Sequence, residues 1–158
     1  MTDARLTFED FTPGRRFAFA ERSLTADEIV AFAREFDPQP MHLDEAAGRA
    51  SILGGLAASG WHTSAVMMRM LYEAYIAGST SEGSPGVDRM EWKRPVLAGD
   101  TLGGHCEVVD ARASRSRPEI GIVRIRAMVT NQRGETVAHC EFTHMMRLAE
   151  KGADHAHG

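Results

Sequence analysis

The longest apolar stretch of the chain has the spacing of a helix and not of a strand. Between Trp61 and Ile76 the strongly polar side chains fall on one narrow stripe, which is made by His62, Arg69 and Glu73. A helix that is apolar around most of its circumference has to be buried. In one small domain, a sheet wrapped around the helix is the simplest way to bury it. The pattern therefore predicts a long central helix inside a curved sheet.

Two shorter helices are predicted ahead of the central one. Thr25 and Glu28 have the spacing of a capping box, in which each side chain satisfies a free backbone N–H of the first helical turn. The apolar positions that follow have helical spacing up to Asp37, where a proline ends the pattern. Residues 43–47 predict a short second helix, with Gly48 at its loose end.

The remaining apolar positions alternate with polar ones, which is typical of strands. The alternation predicts a strand from Phe17 through Ser23 and, after a flexible loop at 78–86, four more, which cover 90–94, 101–109, 120–130 and 136–147. Residues 111–118 are expected to connect two of them as a hairpin. Long antiparallel strands in series after the helices predict an α+β domain with its sheet on one side.

Length and charge exclude several classes of protein. A chain of 158 residues is long enough for one domain with a real core, expected over 1–149, and a polar tail over 150–158 that is expected to be disordered. The net charge of −4 argues against a nucleic-acid partner, and no apolar run has the length of a membrane span. Cys106 and Cys140 lie in strand patterns, which favours reduced core thiols in a cytoplasmic protein.

The candidate chemistry lies between the first helix and the central one. Asp37 and His42 are separated by Pro38-Gln39-Pro40-Met41. Prolines favour extended backbone before them, so we expect a stiff, non-helical loop that holds a carboxylate and an imidazole in a fixed relation. Gly60 stands where the central helix begins, and free N–H groups at a helix start favour negative charge. From spacing alone, a turn-capping Asp and a structural His are the more common roles, and Gly60 can serve for close packing as well as for charge stabilisation.

These residues resemble those of a known family. The pattern Asp37-x-x-Pro40-x-His42, followed by a run of small residues that ends in Gly60, is similar to the MaoC-like dehydratases. That family is close to the (R)-specific enoyl-CoA hydratases and has the hot-dog fold. The segments 91–96 and 98–102 fit a tryptophan-proline strand and a Gly-Asp turn of the same family. The resemblance covers residues 8–147 and implies a hot-dog fold, an antiparallel sheet around a long helix.

The resemblance also implies an activity. It implies reversible addition of water to a 2-enoyl-CoA thioester, with Asp37 and His42 holding the water and the Gly60 N–H stabilising charge on the thioester oxygen. Which of the two side chains is the acid and which the base remains open. The residues expected to contact substrate are Gln39, Ser59, Trp61, His62 and Thr63. Many relatives have Asn and His in place of Gln39 and Ser59, so the acyl group is not fixed by the resemblance.

The expected partners follow from the same resemblance. The thioester substrate brings its own coenzyme A, and no further cofactor is expected. A homodimer or a dimer of dimers is expected, because hot-dog domains join their sheets edge to edge. No metal is expected either: Cys140 and His144 lie on one face of the last strand, His139 lies on the other, and no second ligand pair completes a zinc site.

Two other functions remain open. One is thioester hydrolysis by an enzyme of the same fold, and the other is a non-catalytic subunit that binds acyl thioesters. The Asp37–His42 pair followed by Gly60 favours hydration over hydrolysis. If the two side chains pointed apart or into packed core, the non-catalytic function would be favoured.

Overall fold

Most of the regular structure lies in one antiparallel sheet and the helix that packs on it. The computed structural model describes residues 5–151. Its strands are β1 Arg16–Ala18, β2 Arg22–Ser23, β3 Val87–Trp92, β4 Thr101–Ala113, β5 Ile120–Thr130 and β6 Thr136–Arg147. Its α-helices are α1 Ala26–Phe36, α2 Glu45–Ala50 and α3 Gly60–Leu71. Short 3₁₀ turns occupy Phe8–Asp10 and Pro40–His42.

The sheet has the strand order β1-β4-β5-β6-β3, and β2 pairs with the N-terminal end of β4. All of its pairings are antiparallel. Side chains along β5 and β6 alternate between buried and partly exposed, so one face of the sheet is covered by the core. This antiparallel sheet around a central helix confirms the predicted α+β fold.

The helix α3 is buried on the side that faces the sheet. Val66, Met67, Met70 and Leu71 are all buried there, whereas Met68 is half exposed. The predicted helix continued to Ile76, but the structure replaces its last part by a π-helical turn over Tyr72–Ile76. The wider turn leaves Tyr75 buried while Tyr72 stays exposed.

Two further boundaries differ from the prediction. The strand expected from Phe17 to Ser23 is broken into β1 and β2, which pair with different parts of β4. The second helix begins two residues later than predicted and runs past Gly48. Gly48 is not a loose end: it is buried, and a Cβ there would overlap the carbonyl group of Gly55. The glycine is required because two backbone segments touch at this point.

The predictions for the other elements agree more closely. Thr25 and Glu28 cap α1 as predicted, and α1 ends with Asp37 as its C-cap residue. The strand β4 runs four residues beyond the predicted Val109, to Ala113, so the connection to β5 is shorter than expected. Cys106 and Cys140 are both free and buried, and burial raises the pKa of the Cys106 thiol to about 12. The predicted tail lies mostly outside the described residues.

Candidate active site

The loop after α1 brings Asp37 and His42 together. Gln39 is extended, but Asp37 has φ −152° and ψ 71°, outside the extended region, and Pro40–His42 form one 3₁₀ turn where no helix was expected. Pro40 is the first residue of that turn, a position where its missing N–H costs no hydrogen bond. The turn carries His42 back toward the end of α1. Its Nε2 atom lies 3.4 Å from Oδ2 of Asp37.

A backbone carbonyl fixes the orientation of the His42 ring. The ring is buried, and its Nδ1 lies 2.7 Å from the carbonyl oxygen of Ala57. A carbonyl oxygen only accepts hydrogen bonds, so Nδ1 carries a proton and donates it to Ala57. In the neutral ring, Nε2 is then an acceptor with its lone pair directed toward Asp37.

Two hydrogen-bond donors hold Asp37 in its charged form. Gln39 donates from Nε2 to Oδ1 at 2.7 Å, and the Ser59 hydroxyl donates to Oδ2 at 2.7 Å. These hydrogen bonds, first that of Gln39 and then that of Ser59, lower the pKa of Asp37 below its usual range. The carboxylate and the Nε2 lone pair are thus two acceptors that face each other. A water molecule between them could donate one hydrogen bond to each.

Ser59 connects this pair to the start of the central helix. It is the N-cap residue of α3, is fully buried, and accepts a hydrogen bond from the Trp61 N–H. The same hydroxyl donates to Asp37, so one side chain fixes the helix start relative to the carboxylate. Gly60 is the first residue of α3, and the first N–H groups of a helix have no partner within it.

A cavity of about 240 Å³ lies at this helix start. His42, Gly60 and Thr63 line one side of it, and the segment that follows β3 lines the other. A Cβ on Gly60 would come within 2.6 Å of the Trp92 ring, so only glycine lets the indole pack against the helix start. Of the predicted catalytic residues, His42 and Gly60 line the cavity, whereas Asp37 lies behind its wall in contact with His42.

The structure places the other predicted contact residues differently. Gln39 and Ser59 bind Asp37 and are absent from the cavity wall, whereas Thr63 lies on that wall. Trp61 points outward, is 64% exposed and packs edge-on against Trp92. His62 is buried on the other side of α3.

The His62 ring stacks on Phe32 of α1, with the ring centroids 4.6 Å apart. Burial lowers its pKa, and its Nδ1 atom has no hydrogen-bond partner among the described residues. The expectation that His62 contacts substrate is therefore not supported by its position. His62 faces α1, whereas its neighbour Thr63 faces the cavity.

Sequence reasoning missed several residues of the cavity. The Ala57 carbonyl orients His42, and no side-chain pattern could reveal a main-chain acceptor. Trp92, Lys93 and Arg94 also line the cavity, and the Trp92 ring packs against Gly60. They belong to a segment that was noted for its resemblance, but its position beside Gly60 follows only from the fold.

Two further features bear on the type of protein. Within residues 5–151, no group of three His, Cys, Asp or Glu side chains is arranged to hold a metal ion. None of the helices in this part of the chain is both long enough and apolar enough to cross a membrane.

The chain and its fold are similar to those of known proteins. A solved structure described as the MaoC-like dehydratase from Rhodospirillum rubrum is 40% identical, with a TM-score of 0.83 over 92% of this chain and 99% of its own. The uncharacterised protein YdeM of Bacillus subtilis (strain 168) is 29% identical over 90% of this chain and 99% of its own length.

A third comparison supports the fold alone. The (R)-hydratase PhaJ1 from Pseudomonas aeruginosa is 22% identical, with a TM-score of 0.73 over 92% of this chain and 88% of its own.

The family model described as the MaoC-like domain matches residues 9–131, a range that contains Asp37, His42 and Gly60. The chain belongs to the MaoC-like dehydratase family.

Proposed function

We propose that this protein is a hydratase or dehydratase that adds water reversibly to 2-enoyl thioesters of coenzyme A. The general hydratase role is supported by the family and by the similarity to a MaoC-like dehydratase. The observation that carries the proposal is the facing pair of acceptors, Asp37 Oδ2 and His42 Nε2, 3.4 Å apart beside a cavity.

The pair suits the activation of one water molecule. Asp37 has a lowered pKa and is a weak base, so its role is to hold and orient the water by accepting one of its hydrogens. His42 Nε2 accepts the other hydrogen and takes the proton as the oxygen attacks C3 of the enoyl group. The Nδ1 hydrogen bond to Ala57 stabilises the imidazolium that forms.

The start of α3 supplies the electrostatic part of the reaction. As the C3–O bond forms, the electron pair of the C2–C3 double bond moves toward the thioester carbonyl, which becomes an enolate oxygen. The Gly60 N–H and the positive end of the helix dipole stabilise that oxygen. The imidazolium then returns its proton to C2, which completes the addition and restores the neutral ring. Dehydration is the same sequence reversed.

The cavity wall opposite the helix suits a coenzyme A thioester. Lys93 and Arg94 follow Trp92 along that wall and place two cations at the cavity. Cations there would attract the phosphates of the carrier. Lys93 is also paired with Glu91, and Arg94 with Glu135, so their positions are held before substrate arrives.

Removal of either member of the pair tests the proposal. Asp37→Asn and His42→Ala should each lower kcat by about a hundred- to ten-thousand-fold, the range for loss of general acid–base catalysis, with smaller changes in KM. The double variant should be little slower than either single one, because the two residues hold one water. Asp88→Asn, which removes an exposed carboxylate on β3, is the matched control and should keep full activity.

The assay also separates the alternative functions. Hydration removes the absorbance of the enoyl thioester and releases no thiol, whereas a thioesterase releases free coenzyme A. Thiol release without hydration would replace the proposal by a thioesterase. Binding without turnover, across thioesters of varied length, would replace it by a non-catalytic subunit.

A further inference from the structure

A second cavity lies farther along α3, away from Asp37 and His42. It measures about 180 Å³, and apolar side chains form most of its wall, among them Met67, Leu71, Val87 and Phe142. Its polar side chains are Ser81, Ser84 and His144, and its wall has no Lys, Arg, Asp or Glu. None of these residues takes part in the proposed hydration chemistry.

Three polar side chains form a hydrogen-bonded chain at this cavity. The Tyr75 hydroxyl lies 3.0 Å from Nδ1 of His144, and Nε2 of the same ring lies 2.6 Å from the Ser81 hydroxyl oxygen. The backbone N–H of Gly83 also donates to the Ser81 oxygen, at 3.2 Å. Tyr75 and His144 are buried, so their hydrogen bonds cannot be exchanged for water.

Counting donors gives the direction of this chain. The Tyr75 hydroxyl is buried, and His144 Nδ1 is its hydrogen-bond partner among the described residues, so Tyr75 donates to Nδ1. Burial lowers the pKa of His144 to about 4, so the ring is neutral at pH 7 and carries its one proton on Nε2. Nε2–H therefore donates to Ser81, as does the Gly83 N–H.

Ser81 is then left with an unused donor. Its oxygen accepts two hydrogen bonds, which occupy both lone pairs, and its own O–H has no acceptor among the described residues. That O–H belongs to a residue of the cavity wall. Ser84 differs, because its hydroxyl already donates to the backbone oxygen of Gly86. The cavity thus combines apolar walls with one free hydroxyl donor.

The walls of the two cavities share α3 and β3. Thr63 lines the first and Met67 and Leu71 the second, and these positions form one stripe along α3. On β3, Trp92 lines the first cavity and Val87 the second. From Thr63 to Leu71 the helix advances by about 12 Å, at about 1.5 Å per residue, which is the length of an extended acyl chain of medium length.

We propose that the second cavity binds the far end of the substrate's acyl group, and that Ser81 selects acyl groups with an uncharged acceptor oxygen at that end. A keto or ether oxygen would take the free Ser81 hydrogen, whereas a carboxylate would meet no cation in the wall. The proposal rests on the proposed thioester substrate, and it adds a residue and a chemical class to its specificity.

Binding of two matched thioesters tests it without any need for turnover. Octanoyl-CoA and 7-oxooctanoyl-CoA are both saturated, and their dissociation constants can be measured by titration calorimetry. The wild-type protein should bind the oxo compound about three- to tenfold more tightly, the value of one net hydrogen bond. In Ser81→Ala the two compounds should bind equally. In Ser84→Ala, the matched control, the preference should remain.

Tyr75→Phe tests the direction of the hydrogen-bonded chain. Without the tyrosine donor, the His144 proton can move to Nδ1, and Ser81 can then donate to Nε2. The preference should become smaller although Ser81 is still present, a result that a purely structural role of Ser81 does not predict, and an undiminished preference would contradict the assigned direction. This variant also keeps the test available if Ser81→Ala folds poorly.

Each outcome decides for or against the proposal. Equal binding of the two compounds by the wild type, or a preference that survives Ser81→Ala, would overturn it, as would weaker binding of short butyryl-CoA by Ser81→Ala. A wild-type preference that disappears in Ser81→Ala, together with no hydration of any enoyl thioester, would support the pocket and refute the proposed enzymatic function.

Discussion

At the scale of single residues, burial decides which side chains can carry charge. His144 and Asp37 are both ionisable and both partly or fully enclosed, yet their surroundings act in opposite ways. Hydrogen bonds from Gln39 and Ser59 favour the charged form of Asp37. His144 lies between Tyr75 and Ser81 and beside Phe142, and burial favours its neutral form.

The neutral state of His144 predicts a pH dependence of stability. Its pKa falls from 6.5 in the unfolded chain to about 4 in the fold, so the unfolded chain binds more protons between these values. Stability is therefore complete above about pH 6.5 and decreases as pH falls toward 4. Urea titrations at pH 7 and pH 5 should differ by about 2 kcal/mol more in the wild type than in His144→Gln.

The comparison between the two pH values isolates this effect. Loss of the hydrogen bonds to Tyr75 and Ser81 lowers the stability of the variant at both pH values and cancels in the difference. His62, whose pKa is also lowered by burial, remains in both proteins and adds the same slope to each. An identical pH dependence for wild type and variant would show that the fold does not lower the pKa of His144.

At the scale of secondary structure, α3 organises both the core and the site. Its N-terminal turn lines the cavity beside His42, its middle packs on the sheet, and its last residues line the second cavity. The π-helical turn that follows buries Tyr75 against Phe11 and Phe17. The helix therefore fixes the distance between the two cavities.

The burial of α3 leads to a stability prediction. Leu71 is fully buried, and Leu71→Ala should lower the free energy of unfolding by about 2–5 kcal/mol through lost contacts and a cavity. Glu73→Ala, two residues along, removes an exposed ion pair with Arg69 and should cost less than about 0.5 kcal/mol. Chemical denaturation of both variants measures the two values. Equal losses would contradict the burial pattern.

The elements were predictable from sequence to different degrees, for physical reasons. The capping box, the apolar central helix and the alternation in β5 and β6 are local signals, and they were predicted correctly. The π-helical turn and the role of Gly48 depend on contacts between distant segments, which no local pattern contains. The prediction was therefore good for element type and weaker for element ends.

The candidate site was predictable to a similar extent. Asp37 and His42 were singled out by spacing and resemblance, and the fold brings them within 3.4 Å of each other. Spacing could not show that the Ser59 hydroxyl binds Asp37, because that contact depends on how α1 meets α3. Nor could it separate Thr63 from His62, since adjacent helical residues point to different sides.

At the scale of the whole molecule, β3 forms an open edge of the sheet. Val87 and Trp92 are exposed along that strand, and Trp61, Met68 and Tyr72 are exposed on the neighbouring helical segment. An edge strand with exposed apolar side chains is a ready surface for pairing with another strand. Trp92 also lines the cavity beside His42, so a partner on this edge would cover one wall of the candidate site.

We expect the protein to dimerise through β3. Light scattering should give about twice the 17.3 kDa of the chain at micromolar concentration. Val87→Lys places a charge in the edge and should shift the protein toward monomer. Ile52→Lys is the control, because Ile52 is fully exposed in the loop between α2 and α3, and it should leave the mass unchanged. A stable monomer of the wild type, with full activity, would contradict the prediction.

The Ala57 carbonyl makes one contact of the site insensitive to side-chain substitution. Its acceptor belongs to the main chain, and backbone hydrogen bonds from Ala58 to Val96 and from Ala98 to Leu56 hold that segment in place. No codon change at position 57 removes the oxygen while the backbone keeps its path. The fold itself therefore keeps the proton on Nδ1 of His42. The side chains of Ser81, Met67 and Val87, in contrast, can be changed by substitution. If the proposed function is correct, substitutions at these three positions should change the acyl groups bound and leave the proton on His42 in place.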